Sequence, residues 1–187
     1  MRTRQAHEAV AAALKDGDWA VDATAGNGHD TLFLAQRVGT SGKVWAFDVQ
    51  AQALGNTRQR LQEAGVLDRV SLVAASHAGM QEQLPDQAEA RLGAVMFNLG
   101  YLPGSDKRIV TTAEQTLRAL DQSLMFLRPG GVLTVLVYRG HPGGQEEWQA
   151  VDDWRQGLAC SVEVVGDDSA QATDPVLLVI RPWEAAR

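Results

Sequence analysis

The stretch Asp22-Ala-Thr-Ala-Gly-Asn-Gly-His-Asp30 decides the fold, because it joins a short apolar run to a helical pattern. The run, residues 19–24, is rich in strand formers, and the helical pattern begins near His29. Glycines at positions 26 and 28 let the backbone bend and approach a ligand, while free N–H groups open the helix. The sequence therefore predicts a strand, a ligand-binding turn and a helix.

Seven runs of strand-forming residues alternate with helix-length segments along the chain. The runs are 19–24, 43–49, 70–76, 94–99, 132–138, 161–165 and 176–181. The helical patterns lie near 3–15, 29–38, 50–65, 77–84, 109–128 and 144–159. Alternation at this spacing predicts a doubly wound α/β sheet with right-handed crossovers.

The last two runs depart from this alternation. The linker between them, residues 166–175, is polar and too short for a crossover helix, so the runs are expected to form an antiparallel hairpin. Five βα units and a terminal hairpin are the layout of the seven-stranded class I S-adenosylmethionine (SAM)-dependent methyltransferase sheet. A nicotinamide-binding Rossmann domain more often ends on a sixth parallel strand.

Length and composition indicate one domain over residues 1–187, with an N-terminal helix within 1–18 and a frayed tail over 182–187. We expect neither a targeting peptide nor a membrane span, since no apolar run is long enough. A single cysteine and the lack of zinc-ligand spacing favour a cytoplasmic protein without a metal site.

The net charge of −6 is unfavourable for loose nucleic-acid binding, which would need a local basic patch. For that patch we nominate Arg2, Arg4, Lys107, Arg108 and Arg139.

The glycine turn fits a dinucleotide site poorly. A G-x-G-x-x-G fingerprint aligned on Gly26 and Gly28 would require a third glycine where the chain has Thr31. Asp22 followed by two glycines is instead similar to the D-x-G-x-G-x-G turn of methyltransferases, with Thr24 in place of the first glycine.

Polar residues around this turn have two interpretations. Asn27, Asp30 and Thr31, together with Asp22, could hold the amino and carboxylate groups of the methionine moiety of SAM. Polar residues at a helix start are also ordinary helix caps.

Two later strand ends carry further candidates for the cofactor. Asp48 follows Gly28 by 20 residues and can accept both ribose hydroxyls of an adenosine, or simply cap the next helix. Gln50 is placed to contact the ribose or the adenine side. His77 follows the third strand, where an adenine-contacting residue is expected.

The acceptor side is expected after the fourth strand, in residues 96–104. Amino-group methyltransferases carry an N-P-P-[YF]-type segment there, whose Asn carbonyl accepts from the target N–H and orients the nitrogen lone pair. Asn98 and Tyr101 fit those roles by position, although Leu99-Gly100 replaces the two prolines; the alternative is a plain Asn turn. His141, Tyr101 and Asp106 are equal candidates to assist proton removal, and His141 could equally shape a turn.

Five segments occur in order between residues 22 and 144. They are D-A-T-A-G-N-G-H-D-T-L-F-L-A, F-D-V-Q, S-H, F-N-L-G-Y-L-P-G-S-D-K and Y-x-G-H-x-G-G. Together they resemble a small bacterial family labelled rRNA methylase, whose characterised members methylate 5-aminomethyl-2-thiouridine at the wobble position of tRNA. The resemblance continues to about residue 180.

The resemblance implies SAM as cofactor, an aliphatic amine as acceptor and the tRNA anticodon loop as partner. By position it assigns cofactor contacts to Asn27, Asp30, Thr31, Asp48, Gln50 and His77, and an active-site role to Asn98 and Tyr101. Methylation of rRNA or of a small amine, a SAM-binding protein without catalysis, and a nicotinamide-dependent oxidoreductase remain as alternatives. The oligomeric state stays open, with a homodimer as one option.

Overall fold

A computed structural model describes residues 2–100, 112–166 and 173–182. Its strands are β1 Trp19–Asp22, β2 Lys43–Phe47, β3 Val70–Val73, β4 Leu92–Leu99, β5 Leu127–Val137, β6 Cys160–Val165 and β7 Val176–Pro182. Its helices are α1 Arg2–Ala13, α2 His29–Arg37, α3 Ala51–Glu63, α4 Met80–Gln83, α5 Ala113–Phe126 and α6 Gly144–Gln156. Across these ranges, no helix combines the length and the apolar character needed to cross a membrane.

The strands form one sheet in the order β3-β2-β1-β4-β5-β7-β6. Neighbours from β3 to β5 are parallel, whereas β7 pairs antiparallel with both β5 and β6. This arrangement confirms the expected α/β sheet and its terminal hairpin. The strand order reverses between β1 and β4, and ligands of such sheets bind beyond the carboxyl ends of the strands at this point.

Helices cover both faces of the sheet, because alternate residues of each strand point to opposite sides. On one face, Trp19 and Val21 belong to a core built with side chains of α4, α5 and α6. On the other, Ala20 belongs to a core that includes Val10 of α1 and Leu34 of α2. The helices α1 and α2 therefore lie in the same layer beside the start of the glycine turn.

Several element boundaries differ from the sequence-based expectation, and the first three strands end two or three residues early, at Asp22, Phe47 and Val73. The fourth strand begins at Leu92 rather than residue 94, and the fifth begins at Leu127 rather than residue 132. The register between them shifts after Leu92, which pairs with Leu127, so residues 127 and 128, the end of the helix expected over 109–128, lie within β5. The helix expected over 77–84 is a 3-10 turn followed by one α-helical turn, Met80–Gln83.

Candidate functional site

The turn after β1 is held by a carboxylate from the end of β2. Gly26 has φ 52° and its N–H donates to Asp48 Oδ2 at 2.9 Å. The N–H of Gln50, at the start of α3, donates to Asp48 Oδ1 at 2.8 Å. Asp48 therefore orders both the glycine turn and the chain that leads into α3, while its contact with a ribose stays a prediction.

Gly28 lies where a side chain would meet α3. Its φ is 77°, and a Cβ built there would lie 2.8 Å from the Cα of Thr57. Thr57 in turn donates its hydroxyl to the carbonyl of Gly26 at 3.0 Å. The turn thus packs its backbone directly on α3, which explains the need for glycine at this position.

A glycine-to-alanine pair separates the effect of this packing from that of the φ angle. Gly65 has φ 67° with no atom within 4 Å of a built Cβ, so Gly65→Ala meets the φ penalty alone. We expect Gly65→Ala to lower the free energy of unfolding by about 1 kcal/mol, and Gly28→Ala by about 3 kcal/mol because backbone atoms must also move. Chemical denaturation measures both values, and equal losses would contradict the close packing.

Asp22 and Thr31 are buried against each other at the base of the turn, and both are 0% exposed. The Thr31 hydroxyl donates to Asp22 Oδ2 at 2.6 Å, and the Thr24 N–H donates to Oδ1 at 3.1 Å. Burial, and next the nearby charge of Asp30, raise the pKa of Asp22 to about 7. These contacts tie β1 to α2; a direct contact of Asp22 or Thr31 with a ligand stays a prediction.

The raised pKa of Asp22 makes stability depend on pH. Because the folded state binds the proton more tightly than the unfolded state, the contribution is complete below the unfolded pKa of 3.8 and is lost as pH rises through about 7. The isosteric Asp22→Asn variant cannot ionise. We expect it to unfold at a higher temperature than the wild type at pH 8 and at nearly the same temperature at pH 4. Thermal unfolding at both pH values tests this, and a constant difference between the two proteins would contradict it.

Asn98, at the end of β4, reaches the turn on the neighbouring strand. Its backbone N–H donates to the Thr24 hydroxyl oxygen at 2.7 Å. Its side-chain Nδ2 donates to Asp30 Oδ2 in a short hydrogen bond. This orientation turns the Asn98 carbonyl oxygen Oδ1 away from Asp30. Asn98, the residue predicted to bind the acceptor amine, therefore lies beside the predicted cofactor turn, where the neighbouring strands β4 and β1 end.

His7 of α1 also contacts Asp30, and sequence reasoning did not single out this histidine. Its Nε2 lies 2.6 Å from Asp30 Oδ1, and its ring stacks on Phe33 with centroids 4.0 Å apart. Only the side of α1 that carries Ala6 and Val10 is buried, and no strand end or motif singles out position 7. The contact arises from the packing of α1 beside α2.

His77 lies beneath the turn with an incompletely satisfied ring. Its Nδ1 lies 3.1 Å from the carbonyl oxygen of Ala23, and its ring meets the edge of Phe97. Burial lowers the pKa of His77, which keeps the imidazole neutral at neutral pH. With Nδ1 donating to Ala23, the tautomer leaves Nε2 as an acceptor. This buried atom has no hydrogen-bond partner among the described residues.

His141 also lies at this edge of the sheet. A Cβ built on Gly100, just past β4, would be 3.6 Å from His141 Nε2 and 3.4 Å from the Cβ of Tyr138. The His141 ring Nδ1 contacts the carbonyl of Pro142 at 2.9 Å, a local contact that also fits a turn-shaping role. Tyr101 and Asp106 lie outside the described residues.

Asn27 and the exposed His29 face away from the strand ends and toward α3. Asn56 donates to Asn27 Oδ1 at 2.9 Å, and Arg60 Nε donates to the carbonyl of Asn27 at 2.7 Å. A second guanidinium nitrogen of Arg60 lies 3.3 Å from the His29 ring. The structure thus separates His29 from the other two histidines that follow strands.

The structure tests part of the basic patch that was nominated from the sequence. Arg139 is 7% exposed and donates to the carbonyl of Asp174 at 2.7 Å, so its assignment to an exposed basic patch was wrong. Arg4 forms a surface ion pair with Glu8, and Arg2 donates to Gln5. The other nominees, Lys107 and Arg108, are outside the described residues.

The hydrogen-bond acceptors at this edge of the sheet suit a positively charged ligand that carries an adenosine. Asp48 offers carboxylate oxygens at the end of β2, and His77 offers a buried acceptor at the end of β3. Asp30 places a further carboxylate at the start of α2. Carboxylates are suited to hydroxyl donors and to positive charge, whereas a phosphate group would be repelled by them. The site therefore suits SAM better than a dinucleotide.

Comparison with known proteins supports the same assignment. The family model described as "Putative rRNA methylase" matches residues 44–180. The tRNA (mnm(5)s(2)U34)-methyltransferase, chloroplastic, of Arabidopsis thaliana is 40% identical over 167 residues, 85% of this chain and 60% of that protein. The chain thus spans about 60% of that relative's length.

Two solved structures are similar along nearly their whole length. A Clostridium thermocellum protein carrying the same family name has TM-score 0.90 and 37% identity, with 96% of both chains covered. A Streptococcus mutans protein solved in complex with SAH has TM-score 0.86 and 32% identity, with 97% of both chains covered. With the strand order and the family match, these likenesses lead to one conclusion: the chain belongs to the rRNA methylase family and has the class I SAM-dependent methyltransferase fold.

Proposed function

We propose that this chain is a SAM-dependent N-methyltransferase that methylates the aminomethyl group of 5-aminomethyl-2-thiouridine at the wobble position of tRNA. The observation that carries the proposal is the meeting of Asn98 with Thr24 and Asp30. It places an amide suited to orienting an amine beside the turn suited to holding the methyl donor. The name of the Arabidopsis relative supports the choice of nucleoside.

The residues that would hold SAM follow three parallel strands, β1, β2 and β3. Asp48 would accept the ribose hydroxyls while it keeps Gly26 in place, and Gln50 lies beside it. At Nε2, His77 would accept a hydrogen bond from the adenine amino group. This buried nitrogen has no hydrogen-bond partner among the described residues. When bound, SAM supplies a methyl group on a positively charged sulfur.

The methionine end of SAM would lie over the start of α2. Asp30 and Asn27 flank Gly28 there, and the free N–H groups of the first helical turn suit a carboxylate. Asp22 and Thr31 would act from below, since their hydrogen bond joins β1 to α2. Their part in binding is to keep the turn in shape.

The acceptor amine would meet Asn98. Because Nδ2 is held by Asp30, the carbonyl Oδ1 is the part of the amide that can accept an amine N–H. Such a bond fixes the nitrogen lone pair along one direction, which is catalysis by orientation. An alkyl ammonium must also lose a proton first, and His141 and Tyr101 stay the candidates to assist.

A wobble nucleotide suits a small enzyme of this kind. It lies in an open loop and can be splayed outward without breaking a duplex. An anticodon-loop partner requires a basic patch on this acidic chain, for which Lys107 and Arg108, after β4, stay the candidates. A homodimer and a cytoplasmic location belong to the same proposal.

Nucleoside mass spectrometry tests the reaction directly. The purified protein and SAM are incubated with tRNA that carries 5-aminomethyl-2-thiouridine, and the nucleosides are then analysed. A gain of one methyl group on that nucleoside is expected. An unchanged nucleoside, with methyl transfer to rRNA or to a small amine instead, would overturn the tRNA assignment.

A further inference from the structure

The group His7–Asp30–Asn98 joins the N-terminal helix to the acceptor side of the site. Asp30 uses one carboxylate oxygen toward each neighbour, Oδ1 toward His7 and Oδ2 toward Asn98. Its side chain is 7% exposed. A buried carboxylate needs partners for its oxygens, and here they come from two different elements, α1 and β4.

We propose that His7 is a positioning residue that sets the orientation of the Asn98 amide through Asp30. The inference rests on the proposed function for its catalytic consequence, because Asn98 is the residue assigned to the acceptor amine. It concerns a residue of α1 that no strand-end motif includes.

The physical reason is the near-identical shape of an amide and its flipped form. Rotation of the Asn98 side chain by half a turn exchanges its carbonyl and NH2 groups, and packing alone hardly distinguishes them. A fixed acceptor at Asp30 Oδ2 selects the form with Nδ2 toward Asp30. That form presents a carbonyl, and the other would present a donor that repels an amine N–H.

His7 contributes by holding Asp30 at its other oxygen. The 2.6 Å contact with Oδ1 and the stack on Phe33, nearly coplanar at 4°, restrain the imidazole. Without the contact, one oxygen of a buried carboxylate lacks a partner, which favours rotation of the Asp30 side chain. The selection of one Asn98 orientation would then weaken.

Two substitutions of His7 separate its hydrogen bond from its packing. His7→Phe keeps a ring on Phe33 and removes the polar contact with Asp30. His7→Gln removes the ring and keeps a side-chain N–H that can donate to Asp30. Glu8→Ala is the matched control on α1, since Glu8 is 63% exposed and contacts Arg4 rather than the site.

The first measurement is the side-chain amide signal of Asn98 in 15N-labelled protein, which requires no activity. We expect the Asn98 Nδ2 protons to shift in His7→Phe, and to stay near the wild-type position in His7→Gln and Glu8→Ala. An unmoved signal in His7→Phe overturns the inference, whatever the protein methylates. Shifts in His7→Gln as large as those in His7→Phe would assign His7 to packing and overturn it as well.

The second measurement is methyl transfer to the proposed tRNA. We expect His7→Phe to lower kcat about tenfold, with the KM for SAM changed by less than about twofold. Added to Asn98→Ala, the same change should cost less than about twofold, because both act through one amide. Full additivity would overturn the inference. An inactive wild type would instead refute the proposed function, and the amide signal would still decide the role of His7.

Discussion

The Asn98→Ala variant is expected to transfer methyl groups to tRNA about 100-fold more slowly than the wild type at saturating substrates. Truncation removes the carbonyl that orients the acceptor amine. It leaves in place the backbone N–H that donates to Thr24. Because Asp48 and the Asp22–Thr31 hydrogen bond still hold the cofactor turn in this variant, kcat should fall while SAH affinity stays within about threefold of wild type.

The measurements for this variant are single-turnover methyl transfer and calorimetric titration with SAH. Gln149→Ala is the control, since Gln149 is an exposed amide of α6 that contacts Asp153. A loss of SAH affinity equal to the loss in rate would show that Asn98 serves the cofactor instead. Full methyl transfer by Asn98→Ala would remove it from the mechanism.

The Asp48→Ala variant is expected to bind SAH about 100-fold more weakly, a loss of about 2.7 kcal/mol. Two effects combine. The variant loses the acceptor for the ribose hydroxyls, and the N–H groups of Gly26 and Gln50 lose the carboxylate that holds them. Hydrogen bonds to a charged group contribute about 1.5–3 kcal/mol each, so the loss of even one accounts for most of the expected change.

Calorimetric titration of Asp48→Ala with SAH and with adenosine gives the test. Loss of affinity for both ligands is expected, because both carry the ribose. Asp68→Ala is the matched control, since that carboxylate is 75% exposed and forms an ion pair with the adjacent Arg69, away from the turn. Near-wild-type SAH affinity in Asp48→Ala would leave this carboxylate with a structural role alone, at the glycine turn and the start of α3.

The number and type of the strands were predictable from local pattern. Strands covered by helices on both faces carry nearly continuous apolar runs, and every predicted run overlaps one observed strand. The hairpin was predictable because the linker after β6 is too short for a crossover helix.

The start of β5 could not be predicted in the same way. Arg128-Pro-Gly-Gly131 has the composition of a helix stop, and the preceding leucines have helical spacing. The structure extends the strand back to Leu127 because that residue pairs with Leu92 across a register shift. Gly131 fits against the Leu92 carbonyl, where a Cβ would come within 2.9 Å. Only the partner strand provides this information.

The gathering of Asp48, Asn98 and His77 at one edge could be predicted, since parallel strands bring their carboxyl ends together. The burial of the Arg139 side chain could not be predicted. Its position after β5 suggested a surface cation, yet its side chain is buried against Trp148 and the carbonyl of Asp174. Direction of a side chain depends on neighbours that lie far away in sequence.

By itself, the sequence determined the sheet, its hairpin, the glycine turn and the strand ends that carry the polar residues, because these depend on local periodicity and on the topology it implies. The tertiary structure alone decided how those residues are coupled. It placed His7 on Asp30, Asp30 on Asn98, and Thr57 against Gly28. The paired residues are 23, 68 and 29 positions apart in the chain, and their contacts depend on how α1, α3 and β4 pack around the glycine turn and the start of α2. No local pattern records such a distance.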